Sequence, residues 1–153
     1  MFRLFAILLL LLTFSFFPKQ VSAATSWAME TGENNGTSIF SILYDTNAIS
    51  NTDVWTVGYN YPTGVSSAQP LIEHRGSTPS WSGSTEGNIG DDYGFLYSVS
   101  AAAANDVWAV GQRVSTEGGF PLIEHWDGSS WNVTPSTVSG LFNDVVAISS
   151  NDV

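Results

Sequence analysis

The 153-residue chain has no cysteine, and it sets only four lysines and arginines against 14 carboxylates. Without thiols there is no disulfide framework, no thiolate nucleophile and no cysteine to carry a lipid, so stability has to come from burial and backbone pairing. The scarcity of cations excludes a further class of function. With a formal net charge of −10 and no basic cluster, the chain cannot neutralise phosphates, which removes nucleic acid and anionic lipid surfaces as partners. No Gly-x-Ser-x-Gly elbow and no phosphate-cradling glycine loop with its lysine occur, and no 3.6-residue apolar periodicity lasts for three helical turns.

The one long apolar run stands at the start. Met1-Phe2-Arg3 is followed by 14 mostly apolar residues, Leu4 to Phe17, and then by Pro18-Lys19-Gln20-Val21-Ser22-Ala23. A short basic start, an apolar stretch and a small-residue end read as a helical signal peptide over residues 1–23, cleaved after Ala23. The run falls short of the roughly 20 residues that span a bilayer. The expectation is an exported, extracellular protein without membrane attachment once the leader is removed. Cleavage takes Arg3 and Lys19 with it, leaving Arg75 and Arg113 as the fixed cations.

What the rest of the chain has in abundance is itself. Asn105-Asp106-Val107-Trp108-Ala109-Val110-Gly111 echoes Thr52-Asp53-Val54-Trp55-Thr56-Val57-Gly58, and Asn151-Asp152-Val153 opens the phrase a third time. Leu71-Ile72-Glu73-His74 returns as Leu122-Ile123-Glu124-His125. Ser26-Trp27, Ser80-Trp81 and Ser130-Trp131 mark a further phased element, with tryptophans 54 and then 50 residues apart. A period near 50 residues means stacked supersecondary units.

Each unit contains four short runs rich in Val, Ile, Trp and Tyr, separated by Asn-Asp, Gly-Gly or Asp-Gly. In the second unit the runs are 95–100, 106–111, 121–126 and 130–133, the pattern of an antiparallel meander. Along 106–111 both faces are apolar, Trp108 and Val110 on one side, Val107 and Ala109 on the other. A small sheet apolar on both faces has to be sandwiched between two others. The fold class expected is therefore all-β: four-stranded antiparallel blades of an incomplete β-propeller, about 2.5 repeats within residues 24–153. The parts are a closing fourth strand near 25–30, blades at about 39–83 and 95–134, and the start of a blade at 141–153. Propellers close with 4 to 8 blades, so the remaining blades are expected from a longer chain.

The succession of a strand, Asp-Val-Trp-Ala-Val-Gly, a strand, Asp-Gly and Trp resembles the secreted bacterial propeller repeats that carry this motif. It is similar to blades of the kelch and galactose-oxidase type over nearly all of residues 26–153. Where kelch blades carry a double glycine, this chain has Val57-Gly58 and Val110-Gly111. The resemblance implies a propeller scaffold and brings propeller enzymes into view. Sialidases grip a carboxylate with three arginines, of which two are available here, and galactose oxidase needs a cysteine linked to tyrosine.

Repeated residues read as scaffold. Asp53, Asp106 and Asp152 belong to turns in which aspartate side chains bond nearby backbone, and His74 and His125 are equivalent packing or hydrogen-bonding residues, too few to bind zinc. Function is sought instead in the loops that differ between units, 59–69, 112–119 and 82–94. There Tyr59, Tyr61 and Tyr93 can stack on a sugar ring, while Asp91 and Asp92 can accept hydroxyl hydrogen bonds or hold calcium. The expected role is a non-catalytic binding scaffold for an extracellular protein or carbohydrate, with no resident metal or cofactor. The alternative is the N-terminal part of an extracellular glycosidase or oxidase whose catalytic residues stand in further blades.

Overall fold

The computed structural model describes residues 38–78 and 80–153; the leader expected at 1–23 and the closing strand expected near 25–30 lie outside them. The described residues are all-β and contain no helix. Strands β1 (Ser38–Ser50), β2 (Asp53–Pro62), β3 (Gln69–Arg75) and β4 (Trp81–Ser84) form one four-stranded sheet in that order. Strands β5 (Tyr93–Ala103), β6 (Asp106–Ser115), β7 (Gly118–Trp126) and β8 (Trp131–Val133) form a second. Every neighbouring pair is antiparallel.

Alternation along the strands builds the core between the sheets. Trp55 and Val57 of β2 and Ile72 of β3 are buried in one cluster with Leu96, Val99, Val107, Ala109, Leu122 and Trp131 of the second sheet. The Trp55 ring lies 5.3 Å from those of both Trp126 and Trp131. Each large side chain buried in this way contributes about 1.5–3 kcal/mol. The Asp-Val-Trp phrase therefore recurs because alternate residues of β2 and β6 pack against the neighbouring unit.

Polar bonds fix the two sheets in register. The Val99 amide and the Ser98 hydroxyl on β5 donate to Asp45 Oδ2 on β1 at 2.9 and 2.8 Å. Burial by itself would raise the Asp45 pKa, but the amides of Val99 and Thr46 and the Ser98 hydroxyl outweigh it and hold this carboxyl below its ordinary range.

Two expectations need correction. Residues 59–69, 82–94 and 112–119 are not wholly loops: β2 continues through Pro62, β4 through Ser84 and β6 through Ser115, and β5 begins at Tyr93. Backbone pairing carries the strands on, with Pro62 opposite Ser38 and Ser115 opposite Gly118, so the connection from β6 to β7 is a tight hairpin. Asp53 and Asp106 also recur for a reason other than backbone bonding. Asp53 Oδ1 lies 2.8 Å from His74 Nε2, and Asp106 Oδ1 lies 2.8 Å from His125 Nε2 while accepting from Trp108 Nε1 at 3.0 Å. The imidazoles stack on Trp55 and Trp108 at 3.9 and 4.1 Å. Each unit thus pins its second strand to its third through an aspartate, a histidine and an indole. Asp106→Ala leaves the half-buried indole and imidazole without this acceptor, and is expected to lower the unfolding free energy by about 2 kcal/mol in a urea titration.

Backbone-bonding aspartate does occur at Asp127. Its carboxylate accepts from the Ser129 hydroxyl and from the amides of Ser130 and Ser129, which depresses its pKa far below the ordinary value. Gly128, at φ 94°, supplies the left-handed step of this turn.

Candidate functional site

A β-bulge occurs at the same place in both units. The register of β1 on β2 shifts between Leu43 and Asp45, and that of β5 on β6 between Leu96 and Ser98. The bulged residues are Tyr44 and Tyr97. An extra residue in a strand bends it and re-aims its side chain, and here the two phenol rings meet edge to face, 5.6 Å apart.

Around this contact a row of rings crosses from one sheet to the other. Tyr59, on β2, lies 6.0 Å from Phe40, 5.8 Å from Tyr44, 6.0 Å from Tyr61 and 4.9 Å from Phe95. Phe40 also approaches Tyr61 at 6.2 Å, and Phe95 approaches Tyr97 at 6.5 Å. Six aromatic side chains from β1, β2 and β5 form one connected surface. Phe40 is 45% exposed and Tyr44 51% exposed, while the other four are half-buried, so the row is both anchored and accessible.

Partial burial raises the Tyr59 and Tyr97 pKa values above the usual phenol value. For Tyr59 the charge and hydroxyl of Tyr44 add to the shift, and for Tyr97 the charge of Tyr59 does. Both phenols are therefore neutral near pH 7 and able to donate. Flat apolar faces flanked by hydroxyl donors and acceptors suit a ligand that is itself apolar on one side and hydroxylated at its edge.

Of the five residues expected to bind, the structure brings Tyr59 and Tyr61 together in this row, both on β2. Tyr93 opens β5 opposite Val114 and is exposed, outside the ring network. Asp92 Oδ2 stands 3.5 Å from Arg113 Nη1, and the Asp92 carbonyl accepts from Gln69 Nε2 at 3.4 Å, so this residue ties the linker to β6 and β3. Asp91 is exposed in the preceding turn. Phe40, Tyr44, Phe95 and Tyr97 were missed by sequence reasoning. Tyr44 and Tyr97 each stand nine residues before the aspartate of the repeated phrase, a phase that marks them as equivalent without revealing the bulge.

Comparison of the chain with protein-family models, with curated proteins and with solved structures returns no match.

Proposed function

We propose that this chain is the blade-bearing part of an exported β-propeller that binds carbohydrate without transforming it, through the aromatic row of Phe40, Tyr44, Tyr59, Tyr61, Phe95 and Tyr97. The observation that carries the reading is the continuity of these six rings across two sheets with two of them exposed. The propeller reading is supported by two four-stranded meanders of equal topology packed face to face, and export by the leader-like residues 1–23. A pyranose presents C–H groups on one face and hydroxyls around its edge. The rings accept the former and the phenols bond the latter.

The test is titration of the purified protein with soluble xylan, cello-oligosaccharides and chito-oligosaccharides, followed by calorimetry. Tyr59→Ala removes the ring that touches four others and is expected to weaken binding about tenfold, equivalent to about 1.4 kcal/mol. Tyr93→Ala, outside the row, should bind as the wild type does. Equal affinity of Tyr59→Ala and wild type for whichever sugar binds would show that the row is only packing.

A further inference from the structure

The backbone holds the two bulged tyrosines against each other. Tyr44 and Tyr97 are left out of their ladders, because the register steps from Leu43 to Asp45 on β1 and from Leu96 to Ser98 on β5. The residues that follow them are bonded from sheet to sheet: Asp45 Oδ2 accepts from the Ser98 hydroxyl at 2.8 Å and from the Val99 amide at 2.9 Å. This clamp fixes the base on which both rings stand. The rings meet with their centroids 5.6 Å apart and their planes at 72°, and neither is confined by a rung of its own.

Of the five tyrosines, Tyr44, Tyr59 and Tyr61 belong to the first sheet and Tyr93 and Tyr97 to the second. Among the described residues tyrosine rings meet at Tyr44 and Tyr59, 5.8 Å apart, at Tyr59 and Tyr61, 6.0 Å apart, and at Tyr44 and Tyr97, 5.6 Å apart. Only the last contact joins one sheet to the other, and it is the closest. Tyr59 is laddered on both sides, opposite Ile42 and Pro70, and is wedged among Phe40, Tyr44, Tyr61 and Phe95. Its ring therefore has no freedom to turn into a bond with a neighbour.

We propose that Tyr44 and Tyr97 form an oxidative cross-linking site, at which hydrogen peroxide acting through a haem peroxidase joins them as dityrosine and staples the first sheet to the second. Each phenol gives up one electron and its hydroxyl proton to the oxidant. The two phenoxyl radicals form a carbon–carbon bond between the ring positions beside their oxygens, the hydrogens displaced there move to the oxygens and restore both phenols, and one peroxide becomes two waters. The chain has no cysteine, so in an oxidising compartment no disulfide can serve as this tie. A bond between residues so far apart in sequence restricts the unfolded chain as a disulfide does. Coupling requires ring contact and no bound ligand, and so stands apart from the sugar reading.

The experiment treats the purified protein, at a dilution that keeps it monomeric, with hydrogen peroxide and a haem peroxidase, and isolates the monomer by gel filtration. The expected product is a monomer with dityrosine fluorescence, lighter by two hydrogens, in which tandem mass spectrometry of a glutamate-specific digest places the new bond between Tyr44 and Tyr97. Tyr44→Phe and Tyr97→Phe keep the rings and their packing, and each should abolish the monomeric dityrosine. Tyr61→Phe and Tyr93→Phe should leave its yield unchanged. The linked monomer should unfold at a higher urea concentration than the unlinked one. A bond placed on another pair, a monomer without dityrosine, or dityrosine retained in monomeric Tyr44→Phe overturns the site, and an unchanged urea midpoint overturns its role as a staple.

Discussion

Gly111→Ala is expected to destabilise the protein by about 3 kcal/mol, at the upper end of overpacking costs, although it adds a single methyl group. A Cβ at Gly111 would stand 1.9 Å from the Phe95 carbonyl oxygen and 2.9 Å from Leu96 Cα; at Gly58 it would stand 1.8 Å from the Ile42 carbonyl oxygen. Neither glycine has a positive φ, so the requirement is space and not backbone freedom. In each unit the bulged first strand presses its backbone onto the second at this point, and backbone cannot move aside as a flexible side chain can. The control is Gly83→Ala, where nothing lies within 4 Å of the added atom and φ is ordinary. That substitution should change stability by less than about 1 kcal/mol, in the stabilising direction, through the entropy of the unfolded chain. Urea denaturation of the three proteins decides the matter, and a Gly111→Ala midpoint equal to that of wild type would remove the explanation of the motif.

The same glycine shows how far the chain could be read without coordinates. Alternation and turn residues are local properties, so two antiparallel meanders were legible in Val, Ile, Trp and Tyr separated by Asn-Asp and Asp-Gly. Gly58 and Gly111 were visible as a recurrence but not as a necessity, because a bulge is a property of a strand pair. The aromatic row was half legible for the same reason. Tyr59 and Tyr61 stood out as tyrosines in a segment that differs between units, yet they lie on a strand whose length is set by pairing with Ser38 to Ile42. Tyr44 and Tyr97 join them only through the bulge, and Phe95 only through packing of one sheet on the other. Conversely, Asp91 and Asp92 looked like ligand residues because acidic pairs in loops often are. Asp92 instead meets Arg113, a partner 21 residues away that composition cannot assign.

Stability should fall as pH rises from about 4.5 to about 7, and Glu124 should be responsible for most of the slope. Its side chain is fully buried between the sheets. Oε2 accepts from the Gly87 amide at 2.7 Å, while Oε1 has no hydrogen-bond partner among the described residues. Burial pushes its pKa up to about 7; the Gly87 amide opposes the shift and the charge of Glu86 adds to it. Glu86 is itself raised by burial, so the linker between the sheets carries two carboxyls that resist ionisation. In the unfolded chain Glu124 loses its proton near pH 4.3, so between that pH and about 7 the folded state holds a proton that the unfolded state has released. The stabilising contribution is complete below the lower value and is lost as pH rises through the upper one, a difference of roughly 3–4 kcal/mol. Glu124→Gln cannot ionise and keeps an oxygen for the Gly87 amide. It should be more stable than wild type at pH 8, similar to it at pH 5, and between them keep only the shallower slope that Glu86 contributes. Because Glu124 holds the linker at Gly87, hydrogen exchange of residues 85–92 in wild type should accelerate above neutral pH beyond its ordinary base catalysis, and this excess should vanish in the variant. Parallel pH–stability curves for the two proteins would mean that Glu124 is ionised in the folded state and that the slope arises elsewhere.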